Sequence, residues 1–459
     1  MKNNLLRVCL ILGTIIFAAT AMAVPAVDPL LKTHIAQGNL DANRMVTVIA
    51  LFKDKAPLPH LEHSIMSRVQ VEAALIQNAR ASQAASHQAM VKVHDTGIPV
   101  TWETLWLFNA AVVRLQPAQL QLLTADENIY AIYDASRTVH IVQEKAVPMP
   151  YTYGLTKINL PQLREKAPTL DGRGVRVGIL DTGIDATHPD LKDRVMLFKD
   201  FINNKTTPYD DNSHGTHVSG TISGGNASGT TIGIAPGVKI ISGKVFSASG
   251  SATFDALFKA MQWIADPDGN PAHAPMLVSN SWGGGPASAT KDPMDEPLCK
   301  AVAGWVKLGI LPVFANGNSG PGAGSVGLPG ACPQSLAVGA TDENDQIANF
   351  SSRGPATWKS GSVIKPTVSA PGVAVISSVP GGGYKAFSGT SMATPHVAGL
   401  AALVYQANPK ITVEQATELI AKSATHLGAG AGANNEYGMG RIDAFNTLKN
   451  EMMIMRGAH

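Results

Sequence analysis

The chain has 459 residues, 45% hydrophobic and 15% charged, with a formal net charge of +2. That length allows a large core and two or three domains. The near-neutral charge and 6% aromatic content give no electrostatic footprint for nucleic acid or an anionic membrane surface. The N-terminus reads as an export signal: Lys2 and Arg7 are basic, residues 8–20 are apolar, and Ala21-Met22-Ala23 fits a cleavage site. The apolar run falls short of the ~20 residues that a membrane span needs. No later stretch is long enough and free enough of charge to span. Once Cys9 leaves with the signal (1–23), Cys299 and Cys332 remain. In an exported chain they pair or stay as buried thiols. A bridge would close a 33-residue loop (332 − 299), worth ~3–4 kcal/mol by chain entropy.

Residues 24 to about 145 form a separate α+β unit. Residues 45–52 are a β-branched run suited to a strand. Residues 62–93 lack Gly and Pro and are rich in Ala, Gln and Glu, which predicts a helix. Residues 106–115 predict a second strand, Pro117 opens a short helix to Leu123, and 129–133 close with a strand. Residues 136–153, with Pro148 and Pro150, read as a linker to about 150.

From Gly174 the pattern becomes strand, loop, helix. Residues 175–180, 239–245, 276–280 and 310–315 are near-continuous apolar runs, as buried parallel strands require. Helices are predicted at 214–223, 252–265 and 296–308. This alternation predicts an α/β domain over 146–459, a parallel sheet with helices on both faces. Ligands in such sheets bind beyond the carboxyl ends of the strands. Asp181, Asn280-Ser281 and Asn316 to Asn318 fall there.

Three short segments carry the chemistry: Leu180-Asp181-Thr182-Gly183, His214-Gly215-Thr216-His217 and Gly389-Thr390-Ser391-Met392-Ala393. A serine hydroxyl is a poor nucleophile until a base takes its proton. Histidine does this near neutral pH, and a carboxylate fixes its tautomer. Asp181 ends a buried strand and needs a partner. His214 and His217 are also spaced to share a helix face, but no third metal ligand follows at a suitable spacing. Ser391 opens a helix, whose free N–H groups suit a developing oxyanion.

On these segments the chain resembles the subtilisin-like serine proteases. The likeness extends to His188-Pro189-Asp190-Leu191 and to the run from Ser388 to Gly399, and it covers about residues 150–450. The order Asp, His, Ser is that of subtilisin. The resemblance implies an exported serine endopeptidase, monomeric, acting on protein or peptide substrates. It implies roles for Asp181 as acid, His214 as base and Ser391 as nucleophile. Asn318 would donate to the oxyanion, with Asn316 as the alternative. Substrate would add as a strand between Ser249-Gly250-Ser251-Ala252 and Ser281-Trp282-Gly283-Gly284. Gly327 begins the far wall of the specificity pocket. Ser319 follows Asn318 and no acid is placed to select Lys or Arg, which implies an apolar or broad preference.

The first unit resembles the family's inhibitory pro-segment, carried by residues 107–115. That implies an intramolecular inhibitor cut away by the enzyme itself, somewhere in 136–153. The chemistry needs no cofactor. A structural calcium is implied through Asp190, but Ala227 stands where the family commonly has an Asn ligand, so an intact and a lost site both stay open. Residues 438–444 look like the family's closing helix. Six of the thirteen histidines (His34, His60, His63, His87, His94, His140) precede residue 145. Rings buried neutral at the interface would make release of the pro-segment pH-gated, whereas solvated rings would not.

Two other readings compete. An α/β-hydrolase esterase would use Gly389 to Ala393 as its nucleophile elbow, with Asp443 and His459 following. It needs a buried strand before the elbow, where Gly381 to Phe387 is a poor one, and it leaves Asp181 and His214 unexplained. A non-catalytic peptide-binding relative would not need the intact set of Asp181, His214, Ser391 and Asn318.

Overall fold

The computed structural model describes residues 25–29, 31–32, 45–55, 68–136, 138–141, 152–430 and 432–449. The export signal therefore lies outside the described residues, as do most of the linker and residues 62–67 of the first predicted helix.

The first unit is a five-stranded sheet crossed by one long helix. Its strands are β1 (Ala26–Val27), β2 (Val46–Phe52), β3 (Thr101–Leu105), β4 (Ala110–Leu115) and β5 (Ile129–Asp134), in the order β1-β5-β2-β4-β3. The helix α1 spans Arg68–Asp95, and a short α2 spans Leu120–Thr124. The strand expected over 106–115 is interrupted. Trp106–Phe108 form a 3-10 turn, and Asn109 is left-handed at φ 52°. Its amide donates to Asp54 Oδ1 at 2.9 Å, a tie that favours the turn over a continuous strand. Alternate residues of β2 face opposite ways. Val48 and Ala50 enter the unit's own core, while Ile49 and Leu51 join a cluster with Phe258 and Trp305 of the second unit.

The second unit begins with two short helices, α3 (Tyr153–Lys157) and α4 (Leu160–Lys166). A seven-stranded sheet follows, with every neighbouring pair parallel. It uses β7 (Arg176–Asp181), β8 (Val195–Asp200), β9 (Lys239–Lys244), β11 (Leu277–Asn280), β13 (Leu311–Ala315), β14 (Leu336–Thr341) and β17 (Val368–Pro371). The order is β17-β14-β13-β11-β7-β9-β8. Helices cover both faces, as expected from the sequence. On one face, α5 (His214–Ser223), α8 (Thr390–Ala407) and α9 (Val413–Lys422) pack on Val177, Ile179 and Val313. On the other, α6 (Phe254–Ala265) and α7 (Pro297–Lys307) pack on Leu180, Val278 and Phe314.

The remaining strands are small. β15 (Ala356–Trp358) pairs with β16 (Gly361–Val363), and β18 (Val375–Val379) pairs with β19 (Gly383–Phe387). The latter pair is antiparallel and outside the parallel sheet, which removes the strand that a hydrolase elbow needs. Residues 252–253 belong to β10 (Ser251–Thr253), and Thr253 caps α6 by accepting from Ala256 N. Gly438 and Arg441 make isolated bridges, and helix starts only at 444, so residues 438–443 are not the closing helix itself. Cys299 and Cys332 form a disulfide, tying α7 to the loop beyond β13. No described helix is long and apolar enough to cross a membrane.

The two units share a broad interface. Phe108 stacks on Phe258 at 5.0 Å between ring centres, Tyr133 donates to Asp295 O at 2.7 Å, and Lys259 pairs with Glu103 at 2.8 Å. The first unit's sheet thus rests on α6 and α7. From there the chain runs as β6 (Thr138–Ile141) into a cleft of the second unit. It lies antiparallel between β10 and β12 (Trp282–Gly283).

Candidate active site

Asp181 is the last residue of β7 and His214 the first of α5, both almost fully buried. His214 Nδ1 lies 2.8 Å from Asp181 Oδ1, which also accepts Thr182 N at 2.7 Å. The approach of α5 to this turn is close. A side chain at Gly215 would strike Gly183 O at 2.1 Å, so only glycine fits after the histidine. Ser213, at φ 93°, holds a costly backbone state just before it. Asp210 braces the loop: its carboxylate accepts from Thr182 Oγ1, Ser213 N and Thr216 Oγ1.

Ser391 stands in the first turn of α8, inside a helix buried nearly all round. Its Oγ donates to Ser281 O at 2.9 Å, and Ser281 Oγ returns a bond to Ser391 O at 2.8 Å. Among the described residues His214 Nε2 has no hydrogen-bond partner, so the nitrogen that a base would use is open. Catalytic hydrogen bonds are often unformed without substrate.

Asn318 is fixed by Thr390. Its Oδ1 accepts Thr390 N at 2.9 Å and Thr390 Oγ1 at 2.6 Å. Its buried Nδ2 has no partner among the described residues. Asn316 differs, because one N–H of its Nδ2 donates to Ser352 O at 2.7 Å. Among the described residues Asn318 is the asparagine of the two whose amide NH2 is wholly unmatched. Thr390 was not singled out from the sequence, although it adjoins Ser391; its two donors orient the Asn318 amide.

His217 is not a metal ligand in this arrangement. Its Nε2 lies 2.9 Å from Val375 O and 3.0 Å from Lys385 O, and its ring stacks on Phe387 at 4.5 Å. Burial, then the nearby His214 ring, pushes its pKa down to about 3. It is a neutral core histidine.

The expected substrate strands are present, with different parts in the ladder. Ser251 pairs with His140, while Ser249 and Gly250 form the turn before β10 and lie outside the ladder. Gly283 pairs with His140 and Trp282 with Ile141. Trp282 gives the cleft only its backbone, for its ring is buried against Phe314 at 5.3 Å. Ser281 has the largest share, since its carbonyl holds the Ser391 hydroxyl. Gly327 bridges Pro286, and Gly284 N donates to Leu328 O at 2.7 Å, which joins the two walls at their base.

Asp190 does not fit a calcium site. Its Oδ1 accepts Ala227 N at 2.7 Å and its Oδ2 accepts the Tyr384 hydroxyl at 2.6 Å. Calcium takes six to eight oxygens; here the one carboxylate is doubly occupied and Ala227 supplies no side-chain oxygen. Burial and the Asp190 contact push the Tyr384 hydroxyl up to about 12, so it remains a donor.

Known proteins are similar to this chain over most of the second unit. Residues 172–440 match the Subtilase family. Serine protease AprX of Bacillus subtilis (strain 168) is 33% identical over 391 residues, 77% of this chain and 85% of that protein. Subtilisin E of the same strain is 36% identical over 323 residues, 70% and 76% of the two chains. Bacillopeptidase F, also of that strain, is 39% identical over 306 residues, 61% of this chain but 21% of that protein. The chain thus spans about a fifth of bacillopeptidase F and most of the other two. The protein belongs to the subtilase family and is a serine-type endopeptidase.

Proposed function

We propose that the protein is an exported endopeptidase made as a self-processing zymogen, with Ser391 as nucleophile, His214 as base and Asp181 as the acid that orients it. His214 takes the hydroxyl proton as Ser391 attacks the peptide carbonyl, then gives it to the leaving amine. Asn318 Nδ2 and the Ser391 backbone N–H receive the oxyanion. The segment from residue 24 to the maturation cut acts as intramolecular inhibitor, and residues 1–23 direct export. The observation that carries this reading is β6, a strand of the chain itself lying in the cleft beside Ser391.

The register of β6 narrows the maturation cut. Gly283 pairs with His140 and Trp282 with Ile141. Trp282 is preceded by Ser281, the partner of the Ser391 hydroxyl, and Ile141 is followed by Val142. Val142 lies outside the described residues, yet the register points to the Val142–Gln143 bond. The processed enzyme should begin at Gln143, as read by N-terminal sequencing. A Ser391→Ala precursor should stay uncut after signal removal. Cleavage of that variant at the same bond would disprove self-processing, and another mature N-terminus would disprove the register.

Docking of the pro-segment should weaken as pH rises. His87 and His94 are exposed, so they support no histidine gate, and the side chains of the other four lie outside the described residues. The titrating contact is instead Glu72 of α1 against Asp266 at the end of α6. Arg68 donates beside it to Ala265 O at 2.5 Å and Pro275 O at 3.2 Å, and Arg176 faces the cluster too. Asp266 Oδ1 is buried with no hydrogen-bond partner among the described residues. A proton on Glu72 would supply one. Burial, then the Asp266 carboxylate, pushes Glu72 from its ordinary 4.5 up to about 7. A group raised in the docked state makes docking tightest below its free pKa and weaker as pH passes its docked one. The inhibition constant of the pro-segment added in trans should therefore rise between pH 5 and 8. Glu72→Gln should flatten that curve; an unchanged slope would refute the contact's role.

Chelation should leave the unfolding temperature unchanged, because Tyr384 holds Asp190 in place of a metal. Tyr384→Phe should cost about 1–3 kcal/mol, the cost of leaving a buried acceptor unmatched. A fall in melting temperature with chelator, seen by calorimetry, would restore the calcium site.

A further inference from the structure

The acid and the base sit on separate loops, and one buried cation joins them. Lys244 ends β9, opposite Asp181 in the parallel register. It is fully buried in a strand whose other residues include Ile240 and Ile241. An ammonium has three N–H donors. Lys244 Nζ has three acceptors: Thr182 O at 2.6 Å, Asp211 Oδ1 at 2.6 Å and Phe246 O at 3.0 Å. The ring of Tyr209 lies 4.9 Å away. Thr182 follows Asp181, and Asp211 stands three residues before His214. Burying this charge is expensive, and its acceptors offset the cost without large net stability. Its geometric effect is larger, because it fixes the peptide after the acid and the loop before the base together.

We propose that Lys244 is a positioning residue for the Asp181–His214 pair. This rests on the triad proposed above. Asp210 braces the same loops through Thr182 Oγ1 and the backbone of 212–216. Lys244 adds what Asp210 lacks: a hold on the Thr182 carbonyl. Small shifts of a catalytic group lower the rate without changing substrate contacts, and a misplacement of about 1 Å costs about 10²-fold. None of the three acceptors of the Lys244 ammonium lies on β10 or β12.

The test uses the processed enzyme and its Lys244→Met and Asp211→Ala variants. Lys244→Met should lower kcat by up to about 10²-fold, with KM unchanged. The far-downfield proton resonance of the His214–Asp181 hydrogen bond should shift or broaden. Asp211→Ala keeps the two carbonyl acceptors, so it should fold even if Lys244→Met does not, and it should lower kcat in the same direction. Normal kcat with an unshifted resonance in a folded Lys244→Met, or in Asp211→Ala, overturns the proposal. So does a variant that loses only thermal stability. Failure of the triad itself is separate: it would appear as an active Ser391→Ala enzyme, whatever Lys244 does.

Discussion

Replacing Ser391 by Ala should abolish peptide hydrolysis and leave the fold intact. The side chain is buried at the start of α8, and Ala removes one oxygen without adding volume. The structural loss includes the hydrogen bond to Ser281 O, about 1 kcal/mol. What is lost chemically is the atom that forms the acyl-enzyme. Serine and base act as a unit, and removing either lowered kcat by about 10⁶-fold in subtilisin, where the figure was measured. The same loss is expected here for His214→Ala, with a different stability cost. Without the imidazole, the buried Asp181 carboxylate keeps the Thr182 N–H but loses its other donor, and leaving a buried acceptor unmatched costs about 1–3 kcal/mol, more for a charged one. The two variants should therefore be equally inactive on a peptide substrate, but only His214→Ala should melt much earlier. An active-site serine reagent should label the wild type in a stoichiometric burst and leave Ser391→Ala unlabelled. Near-normal turnover by Ser391→Ala would overturn the mechanism. That result, with labelling elsewhere, would reopen the esterase reading.

The candidate reactive residues stood out in the sequence because their signals are local. An acid ending an apolar run, an imidazole and a hydroxyl each opening a helix among small residues are patterns within ten positions. The central strands were legible for the same reason: β7, β9, β11 and β13 fall in near-continuous apolar runs, buried apart from the first residues of β7 and β9. The edges were not. β8 is only half-buried, and β17 carries Ser369 and Pro371, which a sheet tolerates at its margin. β6 carries β-branched Thr138, Val139 and Ile141, yet Pro148 and Pro150 mark its stretch as linker, and its partners on both sides lie far along the chain. Lys244 was hidden inside a predicted strand, since a lysine ordinarily reads as exposed and its acceptors come from residues 182, 211 and 246. Tyr384 and Asp190 are 194 residues apart, so the contact that answers the calcium question left no local trace.

Asn318→Ala should lower kcat by about 10²–10³-fold with little change in KM, equivalent to about 3–4 kcal/mol of barrier, a loss measured on the matching donor of subtilisin. The two asparagines use their amides differently. Asn316 donates its Nδ2 to Ser352 O, whereas Asn318 uses only its oxygen, on Thr390. The Asn318 amino group is thus held ready at the carboxyl ends of the strands, beside the start of α8. A donor so fixed pays no reorganisation when charge develops on the carbonyl oxygen. It acts on the tetrahedral state more than on bound substrate, so the effect belongs in kcat. Gly317, at φ 106°, makes the turn that separates the two asparagines. Thr390→Val should reproduce part of the defect: Val keeps the shape and the backbone N–H still reaches Asn318 Oδ1, but the hydroxyl that donates to Asn318 and accepts from Gly317 N is gone. A graded series in steady-state kinetics, wild type above Thr390→Val above Asn318→Ala at similar KM, is the expected result. A silent Asn318→Ala beside a defective Asn316→Ala would move the oxyanion site to the other asparagine.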